Sequence, residues 1–344
     1  MSTYTEPQYR HSLLAVEFTS TLPDVQFENV TEAQLVTVTV DGATVFSETL
    51  YPDADRKITI EDLSDLVTPY AYQKVRVALA VSCGSATQQA DVIYCRADFG
   101  DETAAHYVDN HFLSILQGVK LTALGRLELL PVYGTTAATC TATYSDGTTA
   151  TFSVSAWLQR TAFTVLDVSP SNFTTAQKTL IGYAITCGNR TQEYELDLTQ
   201  PDCAPILLFF NSFGIQELAY CTGRHVVDPS YKRSAAWVGR IQRNYRIEET
   251  RAFKADTGPL TVAMANWWDD VFRSEDVQVC NFYSGEVQPG KQLLITDSKS
   301  SYGNGDAELP RFTFTYQYAQ RNHNVVQLYR EGRIFDNTFD NTFN

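Results

Sequence analysis

The sequence predicts a mainly β protein: two tandem β-sandwich domains, then a β-barrel or sandwich domain with one packed α-helix. Three observations carry this expectation. The chain of 344 residues has 19 Tyr and 19 Phe but only 2 Met, and aromatic residues with abundant Thr and Val favour sheets over helices. A set of turn landmarks recurs about 105 residues apart. A helical period at 261–272 is set between runs that alternate like strands. At this length two or three cores are expected rather than one.

Taken in order, residues 1–98 form the first predicted sandwich. Leu35–Val40 and Thr44–Phe46 flank Asp41-Gly42, a pair suited to the positive φ angles of a tight hairpin turn. Ile58–Ile60 and Val75–Val81 add strands, and Cys83-Gly84 leads to a last strand at Asp91–Cys95. Residues 119–203 repeat this plan. Asp146-Gly147 follows Asp41-Gly42 by 105 residues, Asp167 follows Asp62 by 105, and Cys187-Gly188 follows Cys83-Gly84 by 104. A period so long implies duplicated domains rather than a solenoid. Between them, residues 99–118 hold a helical bridge, with Tyr107, Val108, Phe112, Ile115 and Leu116 on one side of a helix over Asp101–Leu116.

After a hinge at Pro201–Pro205, residues 204–320 form the third domain. Pro205–Phe210 reads as a buried strand, Gln216–Tyr220 and Arg243–Phe253 as half-buried ones, and Asp256-Thr-Gly-Pro259 as a stop. Thr261 is placed to cap a helix over 261–272 whose stripe is Val262, Ala265, Trp268, Val271 and Phe272. Asp276–Phe282, Lys291–Thr296 and Arg311–Tyr318 close the sheet, the last by alternation of Phe312, Phe314, Tyr316 and Tyr318. Residues 321–344 read as an extended arm, with Phe335, Phe339 and Phe343 inside a repeated Asp-Asn-Thr-Phe.

Strands, one amphipathic helix and a closing pair of strands, with Leu208-Phe-Phe-Asn-Ser-Phe-Gly214, Ile295-Thr-Asp297, Phe312–Tyr318 and the tail 333–343, resemble the tail-tube and distal-tail (baseplate adaptor) proteins of long-tailed phages, of the kind encoded by phages of gut Bacteroidales. The resemblance covers roughly the last 140 residues. It implies a virion protein assembled in the host cytoplasm, a ring homo-oligomer that partners itself and other tail proteins, and sandwiches that reach further partners or a host-surface glycan. The expected assembly interface is Trp267, Trp268, Phe335, Phe339 and Phe343: one tryptophan of the helix faces outward, and the arm phenylalanines seek another chain. The competing reading is a carbohydrate-binding surface protein of a gut bacterium, drawn from the sandwiches and the exposed Tyr and Trp.

Other function classes find little support in the sequence. The formal charge is -14, and no stretch reads as the Lys/Arg cluster that phosphate neutralisation requires, so sequence-specific nucleic-acid binding is not expected. No apolar run approaches a membrane span, and the first residues lack a signal-peptide pattern. Seven cysteines (83, 95, 140, 187, 203, 221 and 280) include no C-x2-C pair, so buried thiols are expected rather than a zinc or redox site. Gly285–Lys291 imitates a phosphate loop, but Gln292 and the strand Leu293-Leu-Ile-Thr follow where Ser or Thr and a helix are needed, leaving a hairpin turn. His106 and His111 are five apart, so one helix face cannot present both to a metal. Glu61-Asp62 and Asp269-Asp270 are adjacent and diverge, unlike paired glycosidase acids. The sequence therefore predicts no enzyme, no cofactor and no metal.

Overall fold

A computed structural model describes residues 10–134, 137–198, 205–283, 286–299 and 309–319. The fold is mainly β. The first unit comprises β1 (Val16–Phe18), β2 (Val25–Phe27), β3 (Gln34–Val40), β4 (Ala43–Leu50), β5 (Ile58–Ile60), α1 (Leu63–Lys74), β6 (Arg76–Cys83) and β7 (Ala86–Ile93). Five of these strands make a sheet in the order β1-β7-β6-β3-β4, and β2 pairs with β5 separately. After α2 (Ala104–Asn110) the second unit runs through β8 (Lys120–Thr122), β9 (Leu129–Tyr133), β10 (Ala138–Tyr144), β11 (Thr149–Gln159), β12 (Phe163–Asp167), β13 (Leu180–Cys187) and β14 (Arg190–Leu196). Its single sheet has the order β8-β14-β13-β10-β11-β12-β9.

The two orders map strand by strand. β1 lies parallel to β7 as β8 lies parallel to β14, and β2–β5 and β9–β12 are both antiparallel pairs. What differs is closure. β11 has 11 residues, and after leaving β10 at Val154 it runs on to pair Ser155 with Asp167 of β12, joining both parts of its unit into one sheet. β4 has 8 residues and ends opposite Gln34, so the first unit stays split in two.

Cys83-Gly84 and Cys187-Gly188 occupy the same hairpin of each unit. Asp41 and Asp146 share a hairpin but not a register. Ser82 faces Thr37 and its counterpart Thr186 faces Thr139; Asp41 lies four residues beyond Thr37, whereas Asp146 lies seven beyond Thr139. The second hairpin is longer, so the expected superposition of Asp41 on Asp146 is corrected to hairpins of unequal reach. Asp41 at φ 48° and Gly42 at φ 79° make the tight turn of the first, where the Asp41 carboxylate accepts from the Ala78 N–H at 2.9 Å.

Two helices depart from expectation. α1 is not foreseen because Pro69 inside it removes one helical hydrogen bond and Thr68, Tyr70 and Tyr72 weaken the helical pattern. The bridge helix expected over 101–116 spans only 104–110. Thr103 caps it through the His106 N–H, and His111 is already extended, so Phe112, Leu113 and Leu116 are buried from irregular chain. The Tyr107 hydroxyl donates to the Ser114 carbonyl at 2.9 Å and Arg190 of the second unit donates to the Val108 carbonyl. α2 thus joins the units.

The third module comprises β15 (Ile206–Phe210), β16 (Gln216–Tyr220), β17 (Val226–Val238), β18 (Ile241–Asp256), α3 (Val262–Arg273), β19 (Val277–Tyr283), β20 (Glu286–Lys299) and β21 (Thr313–Tyr318). Its order is β16-β15-β19-β20-β21-β18-β17. Of the region read as a turn at 285–290, residues 286–290 belong to β20, and Tyr283 already faces Glu286. α3 packs on the sheet through Trp268, Val271 and Phe272 against Phe312 and Phe314. A shared core of Phe18, Tyr107, Leu129, Leu208 and Phe213 joins all three parts.

The six described cysteines are all buried. Burial pushes the Cys95 and Cys140 thiols up to about 12 and Cys280 up to about 11. A thiol without thiolate character reacts slowly. Titration of the native protein with an aromatic disulfide at pH 8 is therefore expected to find none of these six reacting quickly, and all of them after urea unfolding. Cys203 lies outside the described residues.

Candidate assembly interface

The predicted interface separates into two groups. Phe335, Phe339 and Phe343 lie outside the described residues. Trp267 and Trp268 are both buried, 1% and 0% exposed, which corrects the expectation that one of them faces outward. Thr261 does cap α3, its Oγ1 accepting the Met264 N–H at 3.1 Å. The second face of the helix is covered by the second unit of the same chain: the Leu121 N–H reaches Met264 Sδ at 3.2 Å, Thr261 donates to the Val119 carbonyl at 3.1 Å, and Lys120 Nζ sits 4.7 Å from the Trp267 ring centroid.

Around Trp267 lies a buried polar network that the sequence reading missed. Trp267 Nε1 donates to Glu217 at 2.9 Å and Asn211 Nδ2 donates to its other oxygen at 2.6 Å. Lys120 pairs with buried Glu128 at 2.7 Å, and Thr122 donates to Glu128 at 2.8 Å. Asp270 accepts from the N–H and hydroxyl of Ser212. Burial raises the Glu217 and Asp270 carboxyls above their ordinary values, with Lys120 opposing at Glu217 and the Ser212 bonds opposing at Asp270. A lone Glu in the run 216–220 gives no sequence signal that its strand face is interior. The network ties α3 to the second unit and fixes the orientation of the module.

His106 and His111 do converge, at Glu102 Oε1, with separations of 2.6 and 3.6 Å. The helix ends between them, so the one-face argument does not apply. No group of three or more His, Cys, Asp and Glu is arranged to hold a metal among the described residues. No helix of the described residues is long and apolar enough to cross a membrane. The acids of Asp269-Asp270 do diverge in environment, since Asp270 is interior.

Exposed apolar side chains cluster instead in the hairpin of β17 and β18. These strands pair from Val226↔Lys254 to Val238↔Ile241, but β18 meets a third strand, β21, only over Phe253–Asp256. Residues 229–251 therefore form a two-stranded ribbon standing off the body by about 30 Å, at the usual rise of a strand. One face carries Val238, Ile241, Arg243, Arg246 and Lys232; the other carries Trp237, Arg233, Ile247 and Tyr231. A bulge beside Ser234 and Ala235 leaves Tyr245 without an opposite residue, the usual effect of one extra residue in a strand. Trp237 is 71% exposed, Tyr245 70%, Val238 61% and Ile241 58%.

The ribbon is also basic. Residues 229–247 contain Lys232, Arg233, Arg240, Arg243 and Arg246 and no acid. Over the whole ribbon 229–251, Arg251 adds a charge and Glu248 and Glu249 offset two, a net of +4 against -18 for the rest of the chain. This corrects the reading that no basic cluster exists. Arg246 pairs with Glu248 and the Arg233 guanidinium lies 5.4 Å from the Tyr231 ring, while Lys232, Arg240 and Arg243 have no carboxylate partner among the described residues. Sequence reasoning found only half of this hairpin, at 243–253. A ribbon exposed on both faces has no alternation to reveal it, and the net charge of the chain hides its local sign.

The chain matches no family model and no curated protein. Among solved structures, a chain from a study of host-cell-surface retention of a 1.5-MDa bacterial ice-binding adhesin is 12% identical, with 73% of this chain and 89% of that chain covered at a TM-score of 0.14. So low a score carries no assignment of fold or function.

Proposed function

We propose that this chain is a structural, non-enzymatic virion protein of a tailed phage, a distal-tail or baseplate component that forms a ring homo-oligomer and carries its two tandem β units as peripheral modules. The observation that carries the reading is the basic, apolar ribbon 229–251 on an acidic body. An isolated two-stranded ribbon is marginal in water, and large apolar side chains exposed on both of its faces mark a contact surface. Its charge complements the chain's own remainder, which makes another copy a fitting partner. Contact between a ribbon and a different surface of the next copy is heterologous, and such contacts close into rings when the rotation allows. The resemblance of the third module's strand, helix and strand order to tail-tube and distal-tail proteins supports the same reading.

Sedimentation velocity with negative-stain imaging tests it. Rings are expected for the full chain at low salt, weakening as salt rises to 1 M because exposed charges are screened. Replacing residues 230–250 by a two-residue Asn-Gly turn should leave a folded monomer. A full chain that stays monomeric at every concentration, alone and with other tail proteins, would sink the proposal.

A further inference from the structure

A cleft of about 180 Å3 opens where the first unit meets the third module, between α1, the chain following β7, the end of β15 and the turn after α3. Its apolar wall is aromatic: the Tyr72 and Tyr94 rings lie 5.1 Å apart at 60°, and Phe210 lies 6.4 Å from Tyr72. Gly214 supports this wall from behind. With φ at +70°, a Cβ there would stand 3.1 Å from Tyr94 Cδ1 and 3.4 Å from the Tyr72 carbonyl oxygen, so the turn packs against the tyrosines as only glycine can. Arg96 and Glu275 also line the cleft, both exposed. The Arg96 N–H is fixed to the Ser212 carbonyl at 2.9 Å, while neither its guanidinium nor the Glu275 carboxylate has a hydrogen-bond partner among the described residues. The Tyr72 hydroxyl titrates above its ordinary value because of burial first, then Asp276, with Arg96 opposing and Glu275 adding to the rise.

We infer that this cleft binds a single pyranose ring of a glycan. A sugar offers an apolar C–H face and a rim of hydroxyls that both donate and accept. Tyr72 supplies the flat apolar partner. Arg96 can only donate and Glu275 can only accept, so the pair matches both capacities of vicinal hydroxyls. The cleft is smaller than the sites that enclose drug-sized ligands, which limits it to one ring. The inference gives the peripheral units of the proposed function a ligand class, and it does not depend on ring formation.

Saturation-transfer NMR on the full chain tests it, with the methyl glycosides of glucose, galactose, mannose and N-acetylglucosamine as probes at millimolar concentration. At least one is expected to receive saturation. Its affinity should fall about tenfold or more in Arg96→Gln and Glu275→Gln, in keeping with the strength of hydrogen bonds to charged groups, and its signal should vanish in Tyr72→Ala. Trp237→Ser, on the remote ribbon, should bind as the parent does. If Tyr72→Ala fails to fold by circular dichroism, the two exposed variants decide. No saturation of any of the four glycosides, or equal saturation in both exposed variants, overturns the inference. Rings without sugar binding would leave the proposed function standing, and sugar binding without rings would do the reverse.

Discussion

Replacing Trp268 by alanine should cost about 3–5 kcal/mol, the range for truncating a large buried aromatic, while replacing Trp237 by serine should change stability by less than about 0.5 kcal/mol. Trp268 is fully enclosed, 5.6 Å from Phe272 and 6.0 Å from Phe314, and its loss leaves a cavity between α3 and the sheet. The melting midpoint of the third module should drop by on the order of 10 °C. Trp237 has no such enclosure at 71% exposure. Its substitution should instead weaken assembly, because aromatic anchors near the centre of a contact surface carry a large share of binding energy. Urea unfolding and sedimentation velocity on both variants separate the roles. If Trp268→Ala melts as the parent does, the packing of α3 is misdescribed; if Trp237→Ser assembles as the parent does, the ribbon is not the contact.

The contrast between these tryptophans shows where sequence reasoning succeeds. Asp41-Gly42 was legible because a two-residue hairpin turn needs positive φ at both positions, a local demand met by local chemistry. The helix at 261–272 was legible too, since a Thr cap and a three- and four-residue apolar step are properties of a dozen neighbours. Its surroundings were not. The face bearing Trp267 is covered by Lys120 and Leu121, more than 140 residues earlier, and no periodicity in the helix reports on that. Glu217 was hidden for the same reason, and α1 because Pro69 broke its pattern. The ribbon was missed because strands exposed on both faces lack the one-sided burial that makes a strand readable.

Glu217→Ala should destabilise the junction by roughly 2–6 kcal/mol, since it leaves an N–H of Trp267 and one of Asn211 without their acceptor in the interior, at about 1–3 kcal/mol each. The magnitude should depend on pH, and in a definite direction. Burial raises the Glu217 carboxyl above its ordinary 4.5, aided by Asp270 and opposed by Lys120 and the bonds from Asn211 and Trp267. The folded chain therefore holds this proton more tightly than the unfolded one. That contribution is fully present below 4.5 and is lost as pH rises through the folded value, so the parent's advantage over Glu217→Ala should be largest in mild acid and shrink toward neutrality. Asp270 shifts in the same direction, but it is present in both proteins and largely cancels in the difference. Urea midpoints at pH 4.5, 5.5, 6.5 and 7.5 measure it. Parallel profiles for parent and variant would mean that Glu217 titrates alike in both states, and a parent advantage that grows with pH would mean that the ionised carboxylate, stabilised by Lys120 and its two donors, is the form the fold prefers.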